Sequence, residues 1–92
     1  MALFLITYDL KAPGRNYDRL HQLLGTTWQG KRIAESVWLA ELKGPAPAVR
    51  DLVQSMTDAN DRLVVIELGR SFDWAATRAL AAGVGMLKKY SP

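Results

Sequence analysis

The stretch LFLITYDLKAPGRN, residues 3–16, joins a run of side chains that can be buried to a single acid, Asp9, and then to a polar turn. The run from Ala2 to Tyr8 is almost continuously apolar and includes aromatic and β-branched residues, which is typical of a central strand covered on one face or on both. Pro13 and Gly14 suit the central positions of a tight turn, because proline fixes its φ and glycine tolerates a positive one. The stretch therefore predicts a buried strand that ends at an acidic turn.

The composition indicates one small globular domain. The chain has 92 residues, of which 49% are hydrophobic and 23% are charged, and a chain of this length supports a single core. We expect one domain over residues 1–92, with its core at 2–69 and a C-terminal extension at 70–92. Twelve Lys and Arg against nine Asp and Glu give a formal charge of +3, which by itself is a weak indication of a nucleic-acid partner.

The absence of cysteine and the short apolar start indicate the cellular compartment. The chain has no cysteine, which excludes disulfides, thiolate metal centres and a cysteine nucleophile and suits a reducing compartment. The apolar start lacks a basic leading region and is far shorter than the ~20 residues that span a bilayer. We expect a cytoplasmic protein with no membrane partner.

Two helices are predicted from apolar residues at helical spacing. The first begins with Asn16 as its cap and runs to about Leu24, with Gly25 as its terminator. The second has Pro47 in its first turn and ends near residues 58–61. Their apolar stripes are Tyr17, Leu20, Leu23 and Leu24 in the first helix, and Val49, Leu52, Val53 and Met56 in the second.

The other segments favour strands and complete an α+β pattern. Residues 26–42 predict two short strands or one bent strand pair, and RLVVIEL, residues 62–68, predicts a strand of core type. The order strand, helix, strand pair, helix, strand is the split βαββαβ arrangement of ferredoxin-like folds, an antiparallel sheet with both helices on one face. The other face must be wet or paired, and the apolar density of the two long strands favours a homodimer.

The tail predicts a third helical element. Within residues 71–92, Asp73 is a candidate cap for a short alanine-rich helix that precedes a glycine-broken basic end. This short C-terminal helix or arm either packs on its own sheet or crosses to a partner.

Three short motifs carry a family resemblance. ITYDL at residues 6–10, ESVWLAEL at 35–42 and DRLVVIEL at 61–68 resemble the small CRISPR-associated adaptation protein known as the second Cas protein, an endoribonuclease-type superfamily, and most closely its SinR-like relatives. The resemblance covers residues 2–69 and agrees with the predicted order of elements. The Pro-Gly loop after Asp9 and the alanine-rich tail depart from the family, so a role in spacer acquisition does not follow.

The resemblance implies a ferredoxin-like homodimer in which Asp9 faces its counterpart across the two-fold axis. In the family such a pair is associated with a divalent metal, Mg²⁺ or Mn²⁺, and phosphodiester hydrolysis, whereas other members are scaffolds that hold DNA. Asp9 and Ser36 match positions of the family pattern and are the implied catalytic residues, with Asp9 as the metal ligand. Trp38 stands where phenylalanine is more usual.

Asp9 has two interpretations on chemical grounds. One carboxylate alone is a poor metal site, but a two-fold axis doubles it, and magnesium binds through one or two carboxylates together with waters and phosphates. Two close carboxylates repel each other unless a cation or a shared proton lies between them. In the alternative, Asp9 accepts backbone hydrogen bonds at the turn into KAPGRN.

Other polar residues are weaker candidates, each with a structural alternative. Basic side chains can hold phosphates or form a solvated surface; the nucleic-acid-binding candidates are Lys11, Arg15, Arg19, Lys31 and Arg32. His21 is a general base or a packing residue. The tryptophans, Trp28, Trp38 and Trp74, can stack on bases or pack in the core. The acids of the strand regions, Glu35, Glu41 and Glu67, can join Asp9 or face water.

Overall fold

The architecture is a four-stranded antiparallel sheet with helices against both of its faces. The computed structural model describes residues 1–11 and 17–91. Its strands are β1 (Ala2–Asp9), β2 (Lys31–Ala34), β3 (Val37–Leu42) and β4 (Arg62–Leu68), and its α-helices are α1 (Asp18–Gln22), α2 (Ala46–Gln54) and α3 (Ala81–Tyr90). The strand order is β2-β3-β1-β4. The small α+β class that the sequence predicts is confirmed.

The apolar run at the start of the chain forms a central strand, as predicted. β1 pairs with β3 on one side and with β4 on the other. Leu3, Phe4, Ile6 and Tyr8 are buried, which accounts for the absence of strict polar alternation in this strand. Because both edges of β1 are paired, its end at Asp9 is fixed relative to the strands on either side.

One face of the sheet carries the main core. Side chains from β1 and β3 meet α1 and α2 there, and the cluster includes Phe4, Ile6, Leu24, Ala40 and Val53. Alternate residues of a strand share a face, so the even-numbered residues of β1 form this layer. The two predicted helices therefore cover the same face.

The opposite face is covered in part by the chain's own tail. α3 packs on β2 and β3, and Leu3 and Leu39 form a second buried cluster with Met86 and Leu87 of α3. Gly83 lets the helix approach closely, because a Cβ there would lie 2.6 Å from the Cα of Ile33. Of the two predicted fates of the tail, packing on its own sheet is the one observed.

The first helix does not end at Gly25. After α1, a π-helical turn covers Leu23–Thr27, and the Trp28 N–H donates to the Leu23 carbonyl at 2.9 Å. Gly25 lies inside this turn, and a Cβ at this position would make ordinary van der Waals contact with the Trp38 ring at 3.4 Å. The predicted end at Leu24 is wrong because the backbone continues through Gly25 as a π-helical turn. The Asn16 cap and the Pro13–Gly14 turn lie outside the described residues.

The second helix is shorter than predicted. It ends at Gln54, with Pro47 in its first turn as expected, and not near residues 58–61. Val49 and Val53 are buried, whereas Leu52 is 44% exposed, so Leu52 does not belong to the buried stripe.

The alanine-rich part of the tail is not helical. Asp73 caps no helix, and residues 69–80 contain neither helix nor strand. Instead the Leu80 N–H donates to the Ile33 carbonyl at 2.9 Å, and the Trp74 indole N–H donates to the Ser91 carbonyl at 2.7 Å. These tertiary bonds outweigh the helix propensity of alanine, which is a weak preference. Within residues 1–11 and 17–91, no helix has the length and apolar character needed to cross a membrane.

Candidate functional site

The end of β1 and the turn between β2 and β3 enclose a cleft. The Tyr8 N–H donates to the Ser36 carbonyl at 3.2 Å, which ties the turn to the end of β1. The cleft has a volume of about 320 Å³ and is lined by Tyr8, Asp9, Leu10, His21, Arg32, Glu35 and Ser36. We call it the Asp9 cleft. It brings together both predicted catalytic residues, Asp9 and Ser36, and one predicted phosphate ligand, Arg32.

The Asp9 carboxylate is held by two cationic side chains. Its Oδ2 lies 3.1 Å from Lys11 Nζ and 3.5 Å from Arg62 Nη1, and its side chain is 51% exposed. Exposed ion pairs of this kind contribute at most about 1 kcal/mol. The two ion pairs of Asp9 therefore contribute little to the stability of the fold. They also place two basic groups, Lys11 and Arg62, at the mouth of the cleft, where these groups can contact a phosphate.

Capping of the neighbouring turn is performed by another acid. Asp61 accepts the backbone N–H of Lys11 at 2.7 Å, the hydroxyl of Tyr17 at 2.9 Å and the backbone N–H of Asp58 at 2.7 Å. Among the described residues, no backbone N–H donates to the Asp9 carboxylate, and at Lys11 the acceptor is Asp61. The rest of the turn into KAPGRN, where Asp9 is the alternative acceptor, lies outside the described residues.

Tyr8, which lines the cleft, belongs to a buried aromatic pair with Trp38. The Trp38 indole N–H donates to the Tyr8 hydroxyl oxygen at 3.1 Å, and Arg32 Nη2 lies 3.5 Å from the same oxygen. The Arg32 guanidinium carbon is 5.2 Å from the centre of the Trp38 ring, a cation–π distance. Because the Tyr8 oxygen accepts these contacts, its own O–H can donate to a group in the cleft.

Two further titratable side chains line the cleft. His21 projects from α1 and Glu35 from the β2–β3 turn, and both are exposed. His21 is thereby placed beside Asp9, a proximity that its sequence position did not indicate. An exposed imidazole at this place can exchange protons with a group bound in the cleft.

The cleft has oxygen donors of the type that bind a hard divalent cation, but few of them. Asp9 and Glu35 supply carboxylates and Ser36 a hydroxyl, which are the ligand types that magnesium and manganese prefer. Over residues 1–11 and 17–91 there is no group of three His, Cys, Asp or Glu side chains with metal-site geometry. One chain fits such an ion if waters, a substrate phosphate or a second chain complete the coordination.

Several predicted residues lie away from the cleft. Arg19 is exposed on α1 and does not line it. Lys31 borders a separate depression with Glu41 and Lys89, and Arg15 falls outside the described residues. Of the five basic candidates, Arg32 lines the Asp9 cleft, and Lys11 lies beside it through its ion pair with Asp9.

Glu41 belongs to a cluster at the other end of the sheet. It accepts the Tyr90 hydroxyl and, at 3.0 Å, Lys89 Nζ. The hydrogen bond from Tyr90, and then that from Lys89, lower the pKa of Glu41 below its ordinary value. The same bond to Glu41 raises the pKa of Tyr90 to about 12. This cluster fastens the last turn of α3 to β3.

The tryptophans pack against the protein. Trp38 is buried in the main core, and Trp28 packs beside it. Trp74 packs on the second cluster. Each tryptophan therefore packs within the protein, which is the structural alternative to base stacking.

Arg62 is a site residue that sequence reasoning missed. It lies opposite Asp9 in the β1–β4 register. The sequence contains a signal for it, because an antiparallel neighbour of β1 has its first residue beside the last residue of β1. That signal requires the strand order, which the spacing of elements alone does not supply.

Comparisons of the chain with family models, with curated proteins and with solved structures gave no match.

Proposed function

We propose that this protein is a nucleic-acid-binding homodimer of ferredoxin-like fold, and that the Asp9 cleft holds a phosphodiester group for metal-dependent endonucleolytic cleavage. The observation that carries the proposal is the state of Asp9. Its carboxylate has only two exposed cationic partners among the described residues, while Asp61 satisfies the adjacent backbone. A carboxylate whose partners among the described residues are two exposed cations, in a cleft with Ser36 and Arg32, is available for chemistry.

The strand order supports the ferredoxin-like assignment. β1 and β3 are adjacent at the centre, β4 and β2 form the edges, and all neighbours are antiparallel. With α1 and α2 on one face, this arrangement follows the split βαβ pattern. The proposed kinship with the second Cas protein and its SinR-like relatives rests on the three short motifs ITYDL, ESVWLAEL and DRLVVIEL.

The uncovered part of the second face supports a homodimer. Val64 and Ile66 of β4 are 50% and 47% exposed, and they register with Thr7 and Leu5 of β1. Directly opposed residues share a face, so this apolar strip lies on the same face as Asp9. Self-association through the strip would bury it and bring two Asp9 carboxylates toward a common axis.

Each residue of the cleft has a chemical task in this proposal. Lys11 and Arg62 draw a phosphodiester to the mouth of the cleft, and Arg32 holds a phosphate oxygen from the wall. Ser36 donates a hydrogen bond to a second oxygen, and His21 exchanges protons with water or with the leaving group. A Mg²⁺ or Mn²⁺ ion bound by Asp9 would supply charge neutralisation and a more acidic water.

The test is a cleavage assay with rigorously purified protein. Labelled single- and double-stranded RNA and DNA are incubated with magnesium, manganese or a chelator, using the wild type, Asp9→Asn and the control Asp51→Asn. Asp51 is an exposed acid on α2 whose partner is Arg50. We expect metal-dependent cleavage by the wild type and by Asp51→Asn and none by Asp9→Asn. Equal cleavage by all three, or by none, would contradict the enzymatic proposal.

A non-catalytic scaffold is the second candidate function. The exposed strip on edge strand β4 favours it, because an edge strand with apolar side chains is a surface on which another strand or protein can dock. Binding of nucleic acid or of a protein partner, without cleavage of any of the tested substrates, would support this function.

A further inference from the structure

A second depression lies on the other side of the β2–β3 turn from the Asp9 cleft. It has a volume of about 550 Å³, and its walls are residues 32–35 of β2 and its turn and residues 76–80 of the tail. We call it the Arg78 pocket. Arg32 and Glu35 line both the cleft and this pocket, so the two are neighbours joined by one arginine.

The Arg78 pocket has an excess of positive charge. Arg32 and Arg78 line it, against the single acid Glu35. In the part of the chain that the structure describes, neither arginine forms an ion pair with a carboxylate. Two guanidinium groups beside one concave surface favour an anionic ligand, because their planar forks match phosphate oxygens.

Arg32 also has an unsatisfied donor. Its Nε is buried and has no hydrogen-bond partner among the described residues, although buried polar groups are nearly always paired. A buried N–H without an acceptor costs about 1–3 kcal/mol. Because this atom is shielded from solvent, an oxyanion in the pocket would become its acceptor when the Arg32 side chain turns toward the pocket.

The tail segment offers further donors. Arg78 has a φ of 59°, a left-handed conformation that is uncommon for a residue with a side chain and that recurs at ligand-binding sites. Of the amides in residues 76–80, only that of Leu80 makes a described backbone hydrogen bond. The amides of residues 76–79 and the Thr77 hydroxyl are therefore candidates for contact with an anion.

We propose that the Arg78 pocket is a second phosphate subsite, which binds the backbone of a single-stranded nucleic acid adjacent to the phosphodiester in the Asp9 cleft. The inference depends on the proposed function for the identity of the strand. A single strand is favoured because it can bend around the β2–β3 turn between two concave sites, as strands do in grooves that follow the phosphate backbone. Arg32 lines both subsites, which makes them adjacent along the strand.

The first arm of the test uses inorganic phosphate and needs no nuclease activity. Phosphate is titrated into ¹⁵N-labelled wild-type protein, Arg78→Gln and the control Arg70→Gln, while the arginine Nε–H and backbone amide NMR signals are followed. Arg70 is an exposed arginine of the same tail that does not line the pocket. We expect saturable shifts of the Arg32 Nε–H and of the amides of residues 77–79 in the wild type and in Arg70→Gln, and their loss in Arg78→Gln. Absence of saturation in the wild type would overturn the subsite.

The second arm measures the affinity for a single-stranded oligonucleotide as a function of salt. Loss of one phosphate contact should lower the slope of log K against log salt by about 0.7 in Arg78→Gln, and Arg70→Gln should keep the wild-type slope. An unchanged slope in Arg78→Gln would overturn the inference even if the wild type cleaves nucleic acid. Phosphate binding at the pocket in a protein that never cleaves would instead support the subsite and contradict the enzymatic proposal.

Discussion

Asp9 and Arg62 lie directly opposite each other in the antiparallel register of β1 and β4, with Arg62 Nη1 3.5 Å from Asp9 Oδ2. The pair stands at the end of the apolar strip that α3 leaves uncovered. A cation and a carboxylate at this position can serve different ligands, the cation a phosphate and the carboxylate a metal ion. The pair therefore connects the proposed binding, catalysis and association of the protein.

Asp9→Asn should fold like the wild type. The substitution removes two ion pairs of a half-exposed carboxylate, so the free energy of unfolding should change by less than about 1 kcal/mol. Urea unfolding followed by tryptophan fluorescence measures this. A loss above about 3 kcal/mol would mean that the fold depends on Asp9, and loss of cleavage in the variant would then carry no catalytic meaning.

Ile66→Glu should weaken self-association. Ile66 is 47% exposed on the uncovered sheet face, and Leu52 is 44% exposed on α2, which makes Leu52→Glu a matched control. A buried, unpaired carboxylate at a dimer interface is costly, so sedimentation equilibrium should show Ile66→Glu as a monomer and Leu52→Glu at the wild-type association state. A wild-type monomer at all concentrations, or equal effects of the two substitutions, would contradict the proposed interface.

Two glycines of α3 should respond in opposite ways to alanine. At Gly83 a Cβ would lie 2.6 Å from Ile33 Cα, whereas a Cβ at Gly85 meets no atom within 4 Å. Gly83→Ala should destabilise by about 1–3 kcal/mol through overpacking. Gly85→Ala should stabilise by about 0.5–1 kcal/mol, because alanine favours the helix. Chemical unfolding of both variants checks this, and a neutral Gly83→Ala would show that α3 does not pack on β2 as described.

The attachment of α3 should depend on pH through Glu41 and Tyr90. Since the pKa of Glu41 is lowered from its ordinary 4.5, its contribution to stability is present above that pH and is lost as the pH falls through the lower pKa of the folded state. Since the pKa of Tyr90 is raised from 10.0 to about 12, its contribution is complete below pH 10.0 and is lost as the pH rises through about 12.

Tyr90→Phe tests this dependence. It removes one hydrogen bond to a carboxylate and should cost about 1–2 kcal/mol at neutral pH, with a smaller cost in acid, where Glu41 is protonated. Unfolding free energies of wild type and variant across the pH range give the difference. A cost that is equal at neutral and acid pH would show that the charge of Glu41 plays no part.

The sequence is sufficient to predict the strands and helices whose apolar residues follow a simple periodicity. The apolar runs of β1 and β4 predict strands, and the stripes with Leu20 and Val53 predict helices that share a face. These features depend on local patterns of burial, which a single chain displays directly. The position of Asp9 at a strand end follows from the same pattern.

The rest depends on contacts between distant segments. Gly25 and Gly83 are helix breakers by local pattern, but both lie inside helical turns, and Gly83 permits close packing against Ile33. The Arg78 pocket requires the tail to lie beside β2, and the opposition of Asp9 and Arg62 requires the strand order. None of these relationships has a signature in the local sequence, because each is set by tertiary packing.

The most direct test of the central claim, that nucleic-acid phosphates bind at the Asp9 cleft, is the salt dependence of DNA affinity. A short single-stranded DNA is titrated at several salt concentrations with wild type, Lys11→Gln, Arg62→Gln and the control Arg50→Gln, which alters an exposed arginine on α2. We predict that Lys11→Gln and Arg62→Gln each reduce the slope of log K against log salt by about 0.7, and that Arg50→Gln retains the wild-type slope. Equal slopes in all four proteins, or an affinity independent of salt, would contradict the claim and assign the cleft a different ligand.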